Sequence, residues 1–92
     1  MGTMIVIRPD GSTEEHESKK LDLPSIRKLI GNGCSVVERT KVRYAGKVRD
    51  CWLDEEGWTK PNLRNPFVKA MAEEYWNKQC QEFAGIGVVW VP

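Results

Sequence analysis

The alternation of apolar and polar positions along the chain predicts five strands and two helices. Alternating or β-branched runs are typical of strands, and apolar residues spaced three and four positions apart are typical of one helix face. The predicted strands cover residues 3–8, 12–18, 34–44, 47–53 and 86–91, and the predicted helices cover residues 23–30 and 66–81. The order β-β-α-β-β-α-β does not alternate regularly. It therefore predicts an α+β fold with a mostly antiparallel sheet and two helices packed on the sheet.

The third and fourth strands form a predicted hairpin, and the length of its loop decides which residues share a face. Alternation along the first of these strands puts its basic residues opposite Thr40, Val42 and Tyr44. A two-residue loop would pair Tyr44 with Lys47, whereas a three-residue loop over 45–47 pairs Tyr44 with Val48 and keeps apolar residues together. We therefore predict the three-residue loop. It gathers four basic residues on one sheet face: Arg39, Lys41, Arg43 and Arg49.

This predicted basic face is a candidate anion-binding surface. Arg43 and Arg49 would be cross-strand neighbours, an arrangement that costs roughly a few tenths of a kcal/mol. A bound phosphate or an acidic protein surface would relieve the repulsion, since arginine suits bidentate phosphate binding. Tyr44 and Trp58 could add stacking, as in proteins that bind single strands. The alternative is a solvated sheet face, or pairing of these residues with the acidic residues of strand 12–18.

The segment before the last helix is a second candidate binding element. Asn65 followed by Pro66 predicts the start of this helix, because Asn is a good N-cap and Pro fits the first turn. Asn62 and Arg64 lie just before it, and with the free N–H groups of the helix they could bind an anion. The alternative is structural, with Asn62 bonding the backbone and Arg64 pairing with an acidic residue of 54–55.

Most of the chain resembles a family known as domain of unknown function 3846, including the N-terminal strand and the short helix that follows the first two strands. The resemblance rests on an acidic turn ending in glycine at 54–57, a Pro-x-Asn-x-Arg segment within 60–66, and Gly85 opening a terminal apolar strand. Members usually carry small residues after the Arg, where this chain has Asn65 and Pro66. The resemblance implies a small accessory protein of bacteriophages or other mobile elements, a family with no established activity.

Length, charge and cysteine spacing limit the number of domains and the class of protein. The 92 residues predict a single domain, and a formal net charge of +1 argues weakly against a dedicated nucleic-acid binder. The chain has three widely spaced cysteines, no Cys-x-x-Cys, and no run of about 20 apolar residues. We expect free thiols, no membrane association, no signal peptide and a cytoplasmic location, in the host cell if the protein is viral.

No residue set predicts catalysis, a metal or a cofactor. His16 is the only histidine and falls in a polar strand. The acidic residues 54–56 lack EF-hand spacing and are typical of a hydrated turn, although a metal-dependent hydrolase is the low-probability alternative. Gly85 and Gly87 lack the following helix that a dinucleotide motif needs, so we expect them to permit a turn or a close backbone approach.

These observations favour a non-enzymatic binding module for an anionic ligand, either a nucleic acid or a nucleotide. The predicted ligand-binding residues are those of the basic face and of the loop before the last helix: Arg39, Lys41, Arg43, Arg49, Asn62, Arg64 and Trp58. The alternative is a protein-protein inhibitor or modulator of a host enzyme, docking through an apolar surface around Trp58 and Trp90. The oligomeric state and the choice among DNA, RNA and nucleotide stay open.

Overall fold

The fold is α+β, as predicted, and centres on one five-stranded antiparallel sheet. The structure is a computed structural model that describes residues 2–31 and 33–92. Its elements are β1 (Gly2–Ile7), β2 (Thr13–Ser18), α1 (Leu23–Ile30), β3 (Val37–Tyr44), β4 (Lys47–Asp54), a 3-10 helix (Gly57–Thr59), α2 (Pro66–Trp76) and β5 (Gly87–Val91). The strand order is β2-β1-β5-β4-β3, so β2 and β3 are the two edges.

The last strand lies in the middle of the sheet, a position that suits its unbroken apolar run. β5 pairs with β1 on one side and with β4 on the other. Val88 and Val89 point to opposite faces and are both fully buried. Helices must therefore cover both faces of the sheet, since neither face of a central strand can be left in water.

The two helices lie on opposite faces of the sheet. Along β4, Trp52 packs with the α1 residues Ile26 and Ile30, whereas Cys51 packs with Val68 and Ala72 of α2. Alternation of side chains along a strand produces this division into an α1 face and an α2 face. None of the helices within the described residues is long and apolar enough to cross a membrane.

Gly87 allows α2 to approach the sheet closely. A Cβ atom there would lie 2.7 Å from Cγ2 of Val68 and 3.2 Å from Sγ of Cys51. Gly85 has φ of +91°, a turn conformation that glycine adopts without strain. The expectation that these glycines serve a turn and a close approach is confirmed.

The prediction of a three-residue loop in the β3–β4 hairpin is wrong. The loop has two residues, Ala45 and Gly46, with φ of +53° and +78°, and Tyr44 pairs with Lys47. Positive φ at both positions is the geometry of the two-residue turn whose twist matches a hairpin. The prediction matched apolar residues across the strands, but Val48 is 44% exposed near the tip and gains little from matching.

The second helix ends at Trp76 rather than near residue 81. Asn77 is left-handed with φ of +55°, and its N–H donates to the carbonyl of Glu73 at 2.8 Å. The carboxylate of Glu73 then accepts the backbone N–H of Cys80 at 2.9 Å. The chain turns back, and Phe83 enters the α2 side of the core. Cys80 packs against that core from this returning segment.

Asn65 is the predicted N-cap of α2, and its side chain also joins three parts of the fold. Its Oδ1 accepts the N–H of Val68 at 3.1 Å. Its Nδ2 donates to the carbonyls of Ile7 at 3.0 Å and Gly85 at 2.9 Å. The side chain is fully buried with these partners, so one amide ties the start of α2 to the end of β1 and to the turn before β5.

Candidate functional site

Three basic residues form a row on the exposed edge strand β3. Arg39, Lys41 and Arg43, here called the basic stripe, lie on the α1 face, opposite the side on which Val42 packs. Alternate residues of a strand are about 6.8 Å apart, so the stripe presents regularly spaced cations. α1 packs over β1, β5 and β4, which leaves the stripe beside the helix.

The stripe is only partly neutralised by the protein. Lys41 Nζ donates to Oδ1 of Asp50, its cross-strand partner, at 2.6 Å. Arg43 Nη1 makes a long contact of 3.4 Å with the carbonyl of Gly46. Within the described residues, Arg39 and Arg43 form no ion pair. The acidic residues of β2 cannot pair with the stripe, because β2 is the opposite edge of the sheet.

Arg49 is not part of the stripe, which corrects the predicted four-residue face. The two-residue loop pairs Arg49 with Val42 and Arg43 with Val48. Arg49 therefore points to the α2 face, and the predicted repulsion between Arg43 and Arg49 does not arise. Its Nε is buried and makes no hydrogen bond with any described residue.

The loop before α2 does not join the stripe either. Asn62 Nδ2 donates to the carbonyl of Gly57 at 3.0 Å. The Asn62 side chain also packs against Gly85, where an added Cβ would lie 3.3 Å from Cγ of Asn62. This is the structural alternative for Asn62. Arg64 is exposed and forms an isolated bridge with Ala84, on the approach to the central strand β5. The loop and the stripe are thus at different places on the sheet, and they are not one site.

Lys60, rather than Arg64, is the partner of Asp54. Lys60 Nζ lies 2.6 Å from Oδ2 of Asp54, and Oδ1 accepts the N–H of Glu56 at 2.9 Å. The hydrogen bond from Lys60 Nζ to Asp54 raises the pKa of Lys60. The carboxylate is buried with both oxygens occupied, so Asp54 holds the turn together. No group of three or more potential metal ligands occurs within the described residues.

Trp58 and Tyr44 lie at opposite ends of the hairpin, so they do not stack together. Tyr44 closes the β3–β4 loop, whereas Trp58 follows the far end of β4. Trp58 is 56% exposed, while Tyr44 packs against the core beneath α2. Trp90 is also distant from Trp58, because it pairs with Asp50 and packs on the α1 face.

His16 and the cysteines have structural surroundings. His16 lies on the edge strand β2 and contacts the carboxylate of Glu14, which also accepts from Arg8. The bonds from Arg8 and His16 lower the pKa of Glu14. All three cysteines are within the described residues and are free thiols. Complete burial raises the pKa of Cys51 to about 12, which makes that thiol inert.

A groove of about 420 Å³ beside β3 is a feature that the sequence did not predict. We call it the Trp76 groove. Its walls come from β3 and from the segment that follows α2: Glu38, Arg39, Thr40, Trp76, Lys78, Gln79, Cys80, Gln81 and Phe83. Sequence reasoning missed it because the segment that follows Trp76 was assigned to the helix. The signal that could have revealed it is Asn77, a residue suited to a left-handed helix end.

The groove is amphipathic. The Trp76 ring is 48% exposed, and Lys78 Nζ lies 6.0 Å from its centroid. The ring of Tyr75 meets it edge-on at 4.8 Å between centroids, with an interplanar angle of 89°. Partial burial, and then the nearby charge of Glu55, raise the pKa of Glu38. The groove thus combines an aromatic surface with cations and a readily protonated carboxylate.

Comparison of the chain with protein-family models, with curated proteins and with solved structures gives no match. The resemblance to the domain of unknown function 3846 family stays a prediction from the residues that carry it.

Proposed function

We propose that this chain is a non-enzymatic binding module for an anionic ligand, a nucleic acid or a nucleotide, with the basic stripe as its contact surface. The observation that carries the proposal is the row of cations on the open edge strand, in which Arg39 and Arg43 have no carboxylate partner among the described residues. Guanidinium groups bind phosphate oxygens in pairs, and such charge-assisted bonds are stronger than neutral ones.

The local charge supports binding better than the net charge does. The formal net charge is only +1, so long-range attraction of a polyanion is weak. The stripe and its one acidic partner, Asp50, still concentrate positive charge on β3. We therefore expect modest affinity that falls steeply with salt, because phosphate contacts release counterions.

The accessory role in a phage or mobile element and the cytoplasmic location belong to the same proposal. They rest on the resemblance of residues 54–85 and on the free thiols at Cys34, Cys51 and Cys80. Neither is needed for the binding experiment.

The test is a titration with a short mixed-sequence oligonucleotide and, separately, a nucleoside triphosphate, at roughly 50 and 200 mM salt. Amide shifts should centre on residues 39–43 and weaken at the higher salt. Replacing Arg39 and Arg43 together by Ala should lower the slope of log affinity against log salt by about 0.7–0.9 for each lost contact. Absence of shifts for both ligands at the lower salt would overturn the proposal.

A matched control separates the stripe from general charge. Lys19→Ala with Arg64→Ala also removes two positive charges, but from positions outside the stripe. This control should retain most of the affinity. Equal losses in the two double variants would mean that the ligand responds to net charge and that the stripe is not a site.

A protein partner is the second candidate, and one observation favours it. Trp58 is 56% exposed and Leu63, in the same loop, is 76% exposed. Tryptophan is a typical anchor in protein interfaces, and exposed apolar patches mark interaction sites. Binding through them should resist salt and should be lost in Trp58→Ala with Leu63→Ser, while the Arg39/Arg43 double variant keeps it.

A further inference from the structure

The Trp76 groove and the basic stripe adjoin at β3, and Arg39 belongs to both. By alternation Arg39 lies on the α1 face with Lys41, yet it also lines the groove on the other side of the strand. β3 is therefore a narrow ridge with cations along one side and a half-exposed indole on the other. A ligand that lies along this edge can reach both surfaces at once.

The backbone of β3 is open along that ridge. The N–H of Glu55 donates to the carbonyl of Val36, so even-numbered residues of this strand face β4. In an antiparallel ladder the intervening residues then direct their N–H and C=O groups outward. These are residues 37, 39, 41 and 43, and no backbone partner for them occurs within the described residues. The edge offers donors to phosphate or sugar oxygens.

The groove is polar enough to bind a planar, hydrogen-bonding ring. The side chains of Thr40, Gln79 and Gln81 make no hydrogen bond within residues 2–31 and 33–92. They supply both donors and acceptors. The carboxylate of Glu38 accepts from exocyclic amino groups of the kind that cytosine and adenine carry. The same carboxylate repels phosphate, so an incoming nucleotide would direct its base into the groove and its phosphate toward Arg39.

We propose that the Trp76 groove binds a base of a single-stranded nucleic acid whose phosphates lie along the basic stripe. This inference rests on the proposed function and specifies its ligand. The base stacks on Trp76, Lys78 and Arg39 flank it, and the free edge of β3 follows the sugar-phosphate backbone. A duplex keeps its bases stacked inside and cannot supply one to the groove.

The test compares four probes that all carry phosphate but differ in the bases they make available. They are a fluorescent mixed-sequence single strand, an abasic strand of equal length, the same sequence as a duplex, and a nucleoside triphosphate. The wild-type chain should bind the single strand more tightly than the abasic strand by the contribution of one stacked base, roughly 5- to 150-fold. The duplex has a higher charge density but offers no base to the groove, so its affinity should not depend on Trp76.

Variants identify the aromatic ring responsible. Trp76→Ala should remove most of the preference for the base-containing strand and leave abasic-strand affinity unchanged. Trp76→Phe keeps a stacking ring and should retain part of the preference, which controls for an altered helix end. Trp58→Ala removes another exposed Trp and should change neither affinity. Amide spectra of each variant should retain the dispersion of the wild type.

The outcomes separate this inference from the proposed function. If single and abasic strands bind equally and both depend on Arg39 and Arg43, the anion-binding function stands and the stacking site is wrong. If the triphosphate binds as tightly as the single strand and displaces it fully, the ligand is a nucleotide and not a strand. If none of the four probes binds at low salt, the proposed function and this inference both fail.

Discussion

The loop before α2 and the basic stripe on β3 both contain polar residues suited to an anion, but they differ in how far those residues are already hydrogen-bonded. Asn62 donates to Gly57, and Asn65 satisfies three backbone groups. Arg39 and Arg43 on the stripe have no ion-pair partner in the described residues. Residue type alone did not distinguish the two regions.

The difference has a physical origin in burial. A buried amide must find partners inside the fold, because leaving it unpaired costs about 1–3 kcal/mol. Cations on an edge strand remain in water at no such cost and keep their bonding capacity for a ligand. A polar residue is a candidate for binding when its hydrogen-bonding capacity is unused, and Asn62 and Asn65 fail this condition.

Asn65→Ala should have the largest effect on stability. It removes the cap of α2 and leaves the carbonyls of Ile7 and Gly85 without their buried donor. We expect a loss of about 3 kcal/mol, measured by urea unfolding. Asn65→Asp keeps the cap acceptor but not the donor, and should also destabilise. A loss in Asn65→Ala below about 1 kcal/mol would mean that the amide is only a cap.

Asn62→Ala should have a smaller effect, about 1 kcal/mol, because one bond to the carbonyl of Gly57 is lost from a half-buried position. Oligonucleotide affinity should stay unchanged. Arg64→Ala, two positions away and exposed, is the matched control and should shift stability by less than about 0.5 kcal/mol. A clear loss of affinity in Asn62→Ala would return the loop to the binding site.

The sequence predicts the parts of this fold that depend on local patterns. Alternation predicts the division of β3 into two faces, and the Asn-Pro pair predicts the start of α2. The central position of β5 follows from its unbroken apolar run. Each of these signals lies within a few neighbouring residues, so no long-range contact is needed to interpret it.

The features that the sequence does not predict depend on side-chain contacts across turns and on a backbone conformation that the residue type does not favour. The hairpin register depends on Ala45, which has a positive φ that alanine does not favour. The end of α2 depends on Glu73 capturing the N–H of Cys80. The partner of Asp54 is Lys60, although Arg64 is an equally plausible cation in sequence. The Trp76 groove follows from the end of α2 and was missed with it.

Ala45→Asn tests the register that separates Arg49 from the stripe. Ala45 is strained at φ of +53° because of its Cβ. Asn tolerates this region better, because its short polar side chain can form local hydrogen bonds. The variant should gain about 1 kcal/mol of stability in urea unfolding. Ala45→Val, with a β-branched side chain, should lose stability instead. Two changes of the same sign would indicate a different loop and would reopen the question of where Arg49 lies.

Glu38→Gln should have the smallest effect, and it concerns pH. Burial and the charge of Glu55 raise the pKa of Glu38, so the carboxylate takes up a proton earlier than usual as the pH falls. A raised carboxyl pKa favours the folded state at low pH, and that stabilisation is lost as the pH rises through the folded pKa. Protonation also ends the repulsion between Glu38 and phosphate. Oligonucleotide affinity in the wild type should therefore rise as the pH falls from neutral, and Glu38→Gln should show a flatter profile. His16 lies on the opposite edge strand, so the control variant His16→Gln should leave the profile unchanged. An equally steep profile in Glu38→Gln would place the titrating group elsewhere and would remove Glu38 from the groove's contacts with the ligand.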